Sequence, residues 1–146
     1  MLKKTVTYRD YDNNERTETL WFNMNRFELT EFAAELPDDL FKSLSGANNM
    51  ETVSRIANEM GSKGVIDFIK NLVLKSYGEK SDDGRRFKKS PELSEEFSQT
   101  IAFDTFMSEL LSDDNAAANF VNSIIPADMA EKLSEVKSGI GELPQK

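Results

Sequence analysis

The chain of 146 residues sets 18 lysines and arginines against 26 aspartates and glutamates, a formal net charge of -8, and has no cysteine and no histidine. Its length suits one domain with an ordinary hydrophobic core. The missing residue types remove disulfides, thiolate metal sites, cysteine nucleophiles, the usual general base near neutral pH and the commonest zinc ligand.

The opening stretch "KKTVTYRDYDNNERTETLWF" is rich in threonine, aromatic and β-branched residues, and a turn cluster from Asp10 to Asn14 divides it. It predicts two antiparallel strands, residues 3–9 and 16–22, with Leu20 and Phe22 on one face and Trp21 on the other. A lone hairpin is marginal, so this one must pack on the rest of the chain. From Asn25 the period lengthens. Phe27, Leu29, Phe32, Ala33 and Leu36 predict a helix ended by Pro37. "DDLFKSL" predicts another, with Asp38 as its cap and Phe41 and Leu44 as its buried pair. Met50, Val53, Ile56, Ala57 and Met60 share helical spacing, and Gly61 and Gly64 bracket their end. In "KGVIDFIKNLVLKSYG" the polar positions Asp67, Lys70, Asn71 and Lys75 form one narrow stripe. Such a helix is expected at the centre of the domain, buried on several sides and stopped by Gly78.

The next stretch reads "YGEKSDDGRRFKKSPELSEEF". Asp83-Gly84 predicts a turn. Ser90-Pro91-Glu92 predicts a helix start: serine as cap, proline in the first helical position, a carboxylate in the first turn. Phe87, the large apolar residue between them, is expected to hold the loop onto the domain. Leu93 and Phe97 then lie together. A slip in register near Gln99-Thr100 predicts a break, after which Phe103, Met107, Leu110 and Leu111 share a face with Phe106 beside them. Ser112 or Asp113 caps a helix that aligns Ala117, Phe120, Val121 and Ile124. Pro126 opens a last helix with the thin stripe Met129, Leu133, Val136 and Ile140, followed by a frayed end. The expected fold is mainly α with a small N-terminal antiparallel β-hairpin, an α+β domain of six or seven short helices. Residues 1–126 form its compact body, and 127–146 a C-terminal helix and tail.

Little in this order suggests chemistry. The acidic pairs Asp38-Asp39, Asp82-Asp83, Glu95-Glu96 and Asp113-Asp114 fall at helix starts, in a turn or on a solvated face, where negative charge serves as capping or solubility. "DYDNNE" resembles the start of a calcium loop but has Glu15 where glycine is required and Trp21 where the closing carboxylate belongs. Gly139 and Gly141 follow no strand and precede no helix, so they form no phosphate loop. The serines have no base to activate them. No catalytic, cofactor or metal residue is therefore assigned, and no enzyme is expected. No apolar run approaches the roughly 18 residues of a membrane span, and the first residues lack the apolar core of a signal peptide.

Binding is the remaining possibility. Residues 75–90 hold six basic and three acidic side chains, whereas residues 91–146 hold three basic and eleven acidic ones. The basic loop reads either as a solvated turn balanced by Glu79, Asp82 and Asp83 or as a docking face. In the second reading Arg85, Arg86, Lys88 and Lys89 meet an acidic partner or the acidic C-terminal half of the chain itself. Nucleic acid fits poorly, because no stacking aromatics are interleaved with the cations. The late aromatic residues are mostly core, yet so many short helices cannot bury both sides. Phe103, Phe106, Met107, Leu110, Phe120, Ile124 and Leu133 are the candidate partner-binding residues.

The order of segments resembles a known family. "LKKTVTYRDYDNNERTETLWFN", "FELTEF", "LVLKSYGEKSDDGRRFKKSPELSEEFSQT" and "FMSELLSDDNAAANFVNSIIP" are similar to the tail assembly chaperones of long-tailed phages and prophages, particularly those of Gram-positive hosts. The resemblance covers residues 1–36 and 63–126. Its most specific parts are Tyr77-Gly78-Glu79-Lys80, Asp83-Gly84, Phe87, Lys89-Ser90 and Phe97, and then the acid-plus-alanine helix from Asp113 to Phe120 ending in Ile125-Pro126. It implies a non-enzymatic protein without cofactor. Such a protein binds the tape measure protein, a long aggregation-prone helical chain, in the cytoplasm of the bacterial host, and is absent from the mature virion. It also implies, for many such phages, a longer frameshifted product whose extension recruits tail tube protein. The alternatives are a structural neck or tail-completion protein and a nucleic-acid handler of phage recombination.

Overall fold

In the computed structural model, which describes residues 1–35 and 50–125, the chain opens with strands β1 (Leu2–Arg9) and β2 (Glu15–Phe22). They pair antiparallel from Leu2↔Phe22 to Arg9↔Glu15. Asp10 organises the turn between them. One of its carboxylate oxygens accepts the backbone N–H groups of Asp12 and Asn14, each at 2.9 Å, and the other takes the Arg16 guanidinium. Asn13 adopts φ 65°, a left-handed conformation that asparagine tolerates. The Asp10 carboxylate is thus committed to the turn. Alternation then sorts the side chains. Val6, Leu20 and Phe22 are buried, while the hydroxyls of Thr7 and Thr17 meet at 3.0 Å on the exposed side.

Helix α1 (Arg26–Ala34) starts at a reciprocal cap: Asn25 N–H donates to Glu28 Oε1 (3.0 Å), and Glu28 N–H donates to Asn25 Oδ1 (2.9 Å). This phase buries Leu29 and Phe32 and leaves Phe27 72% exposed, which corrects the expectation that Phe27 belongs to the apolar stripe. Phe27 lies about 200° around the helix from Leu29. Helix α2 (Met50–Ser76) is two helical segments joined at a kink, as the sequence suggested: Gly61 has the non-helical angles φ 73° and ψ -171°. Only glycine adopts that conformation readily. Beyond the bend, Phe68, Ile69, Leu72 and Val73 are buried, whereas Ile66 is exposed.

The largest departure from the sequence reading follows. The chain does not leave α2 into a loop at Gly78. It passes directly into a strand, β3 (Tyr77–Lys80), which pairs antiparallel with the end of β2 through Trp21↔Gly78 and Phe22↔Tyr77. A short β4 (Phe87–Lys88) pairs with β3, completing an antiparallel sheet of order β1-β2-β3-β4. The predicted surface loop is a second hairpin. Phe87 lies across Gly78, where an added Cβ would come within 2.5 Å of its ring. At the root, the buried Ser76 hydroxyl donates to Leu72 O (2.7 Å), and its carbonyl accepts from Asn23 N–H (2.8 Å).

The last described helices begin where side-chain caps place them. Ser90 caps α3 (Pro91–Ser98), Thr100 caps α4 (Ile101–Leu111), and Asp113, rather than Ser112, caps α5 (Asp114–Ile124). The break at Gln99-Thr100 is present. Around the fully buried Phe22 the rings converge: Phe106 stacks on it at 4.9 Å, and Phe120, Tyr77 and Phe97 meet it edge-on at 5.6, 5.9 and 6.2 Å. Tyr77 stacks on Phe97 at 3.8 Å. The fold is α+β with five helices among the described residues, against the six or seven expected. That count takes α2 as one helix across its kink at Gly61. The predicted helix in "DDLFKSL", the domain boundary at 126 and the 127–146 helix lie outside the described residues.

Candidate partner-binding cleft

Three elements enclose a cleft of about 630 Å³. One wall is α1, which presents Glu28, Glu31 and Phe32, together with Glu35 just past its end. The opposite side is the last turn of α2, with Leu74 and Lys75, and the start of α3, with Lys89, Ser90, Pro91 and Ser94. Met24, Phe32 and Leu74 supply the apolar floor. Ser94 Oγ donates to Leu74 O at 3.0 Å and ties α3 to α2 beneath it.

Two ion pairs cross the cleft. Lys89 Nζ donates to Glu28 Oε2 at 2.9 Å and Lys75 Nζ to Glu35 Oε2 at 2.7 Å. Because the N-terminal cap already holds Glu28 Oε1, both oxygens of that carboxylate are engaged. Lys75 also stands 5.5 Å from the Phe32 ring centre. Lys89 is the more enclosed of the two lysines, its side chain only 17% exposed. Burial holds its pKa below the usual 10.5, opposed by the hydrogen bond and charge of Glu28.

A second recess, about 570 Å³, adjoins the first and shares Lys89 and Ser90 with it. Glu79, Arg86, Phe87, Lys88 and Leu93 complete its lining. The turn above it is rigidly organised: Asp83 Oδ1 accepts from Ser81 Oγ (2.7 Å) and Arg85 N–H (3.0 Å), and Arg86 N–H donates to Ser81 Oγ (3.0 Å). These bonds hold the Asp83 carboxyl below its ordinary pKa.

The residues expected to bind a partner fall elsewhere. Phe106, Met107, Leu110, Phe120 and Ile124 are all 8% exposed or less and form the core beneath the sheet. The stacked and edge-on rings around Phe22 draw both helices inward, so in this fold they are not a free surface. Phe103 is half-buried against Phe97, and Leu133 lies outside the described residues. Of the four loop cations, Arg85, Arg86 and Lys88 are exposed. Lys89 is not a free docking charge, because α1 captures it. Sequence reasoning passed over Glu28, Glu31 and Glu35. The legible signal was a carboxylate stripe at i, i+3 and i+7 beside the apolar face of α1.

Among the described residues no group of three or more histidine, cysteine, aspartate or glutamate side chains is arranged to hold a metal ion, and no helix is long and apolar enough to cross a membrane. An open cleft with an apolar floor and charged rims is the arrangement by which a protein takes up an amphipathic segment of another chain. The family model described as phage tail assembly chaperone matches residues 1–145, and the chain belongs to that family. Comparisons with curated proteins and with solved structures give no match. Membership supplies the general role, chaperoning a phage tail protein, and the match also spans residues 37–62, which the resemblance did not cover.

Proposed function

We infer that the chain binds the tape measure protein and keeps it soluble while the tail is built, holding apolar segments of that client without catalysis. Family membership supports the general role, and the cleft between α1, α2 and α3 is the observation that carries the binding mode. A helical client lays apolar side chains on Met24, Phe32 and Leu74 while its polar face stays between the charged rims. Each apolar side chain fully buried there contributes about 1.5–3 kcal/mol, which lowers the free client available to aggregate. The net charge of -8 keeps the loaded complexes apart. The protein acts in the host cytoplasm and leaves before the virion is complete. A longer frameshifted form would bring tail tube subunits to the same complex.

Co-expression tests the reading. The tape measure protein should stay in the soluble fraction with the wild-type chain and precipitate with Ser94→Phe, which fills the cleft. Circular dichroism should show that variant folded. Equal precipitation with and without the wild-type chain overturns the proposal.

A further inference from the structure

The cleft's charges are unequal, and the inequality specifies an occupant. Glu28, in the first turn of α1, and Glu35, just past its end, stand seven residues apart. Each is neutralised by a lysine from the opposite side. Glu31 stands between them. It lines the cleft, is exposed, and has no ion pair or hydrogen bond among the described residues. The lining therefore keeps one unmatched negative charge midway between two closed pairs, beside an apolar floor. Phe27, one turn before Glu31 on α1 and outside the cleft lining, is 72% exposed.

We propose that the cleft selects a basic amphipathic helix, one that places a lysine or arginine opposite Glu31 and apolar side chains on Met24, Phe32 and Leu74. This rests on the cleft being the client site and names the client's chemistry. Glu31 acts as the specificity residue: a cation meets it at the edge of an apolar surface, whereas a client carboxylate there faces like charge. The two ion pairs, both hydrogen-bonded, already engage Glu28 and Glu35, so Glu31 is the charge left to read the client.

Two fluorescent peptides of about 20 residues, long enough to form helix, would test this. They share apolar residues at helical spacing and carry either lysine or glutamate at the remaining positions. Fluorescence anisotropy with the full chain should show the lysine peptide binding at least about tenfold more tightly than the glutamate peptide. Glu31→Gln should narrow that ratio, Glu31→Lys should reverse it, and Glu15→Lys, the same charge change at an exposed position outside the cleft lining, should leave it unchanged. Equal binding of both peptides by the wild type, or a ratio that Glu31→Lys does not move, overturns the proposal. A change in sedimentation of the chain alone on Glu31→Lys, without a peptide preference, would give the cleft to a second copy and also overturn it. Loss of the lysine preference while Ser94→Phe still releases the tape measure protein removes the charge rule and leaves the cleft standing. Peptides bound equally by wild type and Ser94→Phe remove the cleft itself.

Discussion

The two hairpins of the sheet are built on opposite plans. β1 and β2 are eight residues each, alternate buried and exposed side chains, and send Val6, Leu20 and Phe22 into the core. β3 and β4 have four and two residues, bury little of their own, and depend on the end of β2 and on the fit of Phe87 over Gly78. The first hairpin is a source of stability. The second is a positioning device: its far end exposes Arg85 and Arg86, and its root delivers Lys89 and Ser90 to the cleft. A protein without histidine or cysteine can still divide labour in this way, with one sheet edge anchoring and the other shaping a cleft.

Mutations should separate the two plans. Phe22→Ala removes the ring on which four others converge, and should cost about 3–5 kcal/mol in urea unfolding. A loss under 1 kcal/mol, on the scale expected of a surface site, would deny the first hairpin its anchoring role. Gly78→Val pushes against Phe87 and the Lys88 carbonyl, which an added Cβ would approach to 2.5 and 2.6 Å. It should cost about 1–3 kcal/mol and open the 81–86 turn to limited proteolysis before the rest of the domain unfolds. Unchanged cleavage there would show that the second hairpin does not depend on this contact.

Lys89→Met should change stability at pH 7 by no more than about 1 kcal/mol. Its informative effect is on pH dependence. Burial keeps the native pKa of Lys89 below 10.5, so as pH rises through the interval between the two values the unfolded chain holds this proton more than the native chain does. Wild-type stability relative to Lys89→Met should therefore increase across that alkaline interval. A parallel pair of pH curves would mean that Lys89 is not enclosed.

The smallest effects belong to the two turns. Asp10, held chiefly by Arg16 and by backbone N–H groups, and Asp83, held chiefly by the Arg85 N–H and the Ser81 hydroxyl, both lie below their ordinary pKa of 3.8. Their contributions are complete above that value and fade as acid protonates the folded carboxylates. The protection factors of the Asn14 and Arg85 amides against hydrogen exchange should fall on acidification, and Asp10→Asn or Asp83→Asn should abolish that pH dependence in its own turn. A fall in protection that persists in the variants would assign it to other groups.

The sequence by itself determined the elements whose signals are local. The threonine-rich strands, the Asp83-Gly84 turn, the Ser90-Pro91 helix start, the break at Thr100 and the cap before α5 are written in neighbouring residues, since a strand period, a cap or a turn needs only a few positions. The ordered set of those segments also carried the family. Tertiary structure alone decided the rest. "YGEK" is too short to show a period, and it is a strand because β2 offers it an edge. Phe106 and Phe120 are core because Phe22 draws them in, although the same stripes could have faced a partner. The cleft is assembled from residues 24 to 94, with Glu28 meeting Lys89 and Glu35 meeting Lys75 across it. Contacts between residues far apart in the chain depend on how helices pack, and no single segment encodes that.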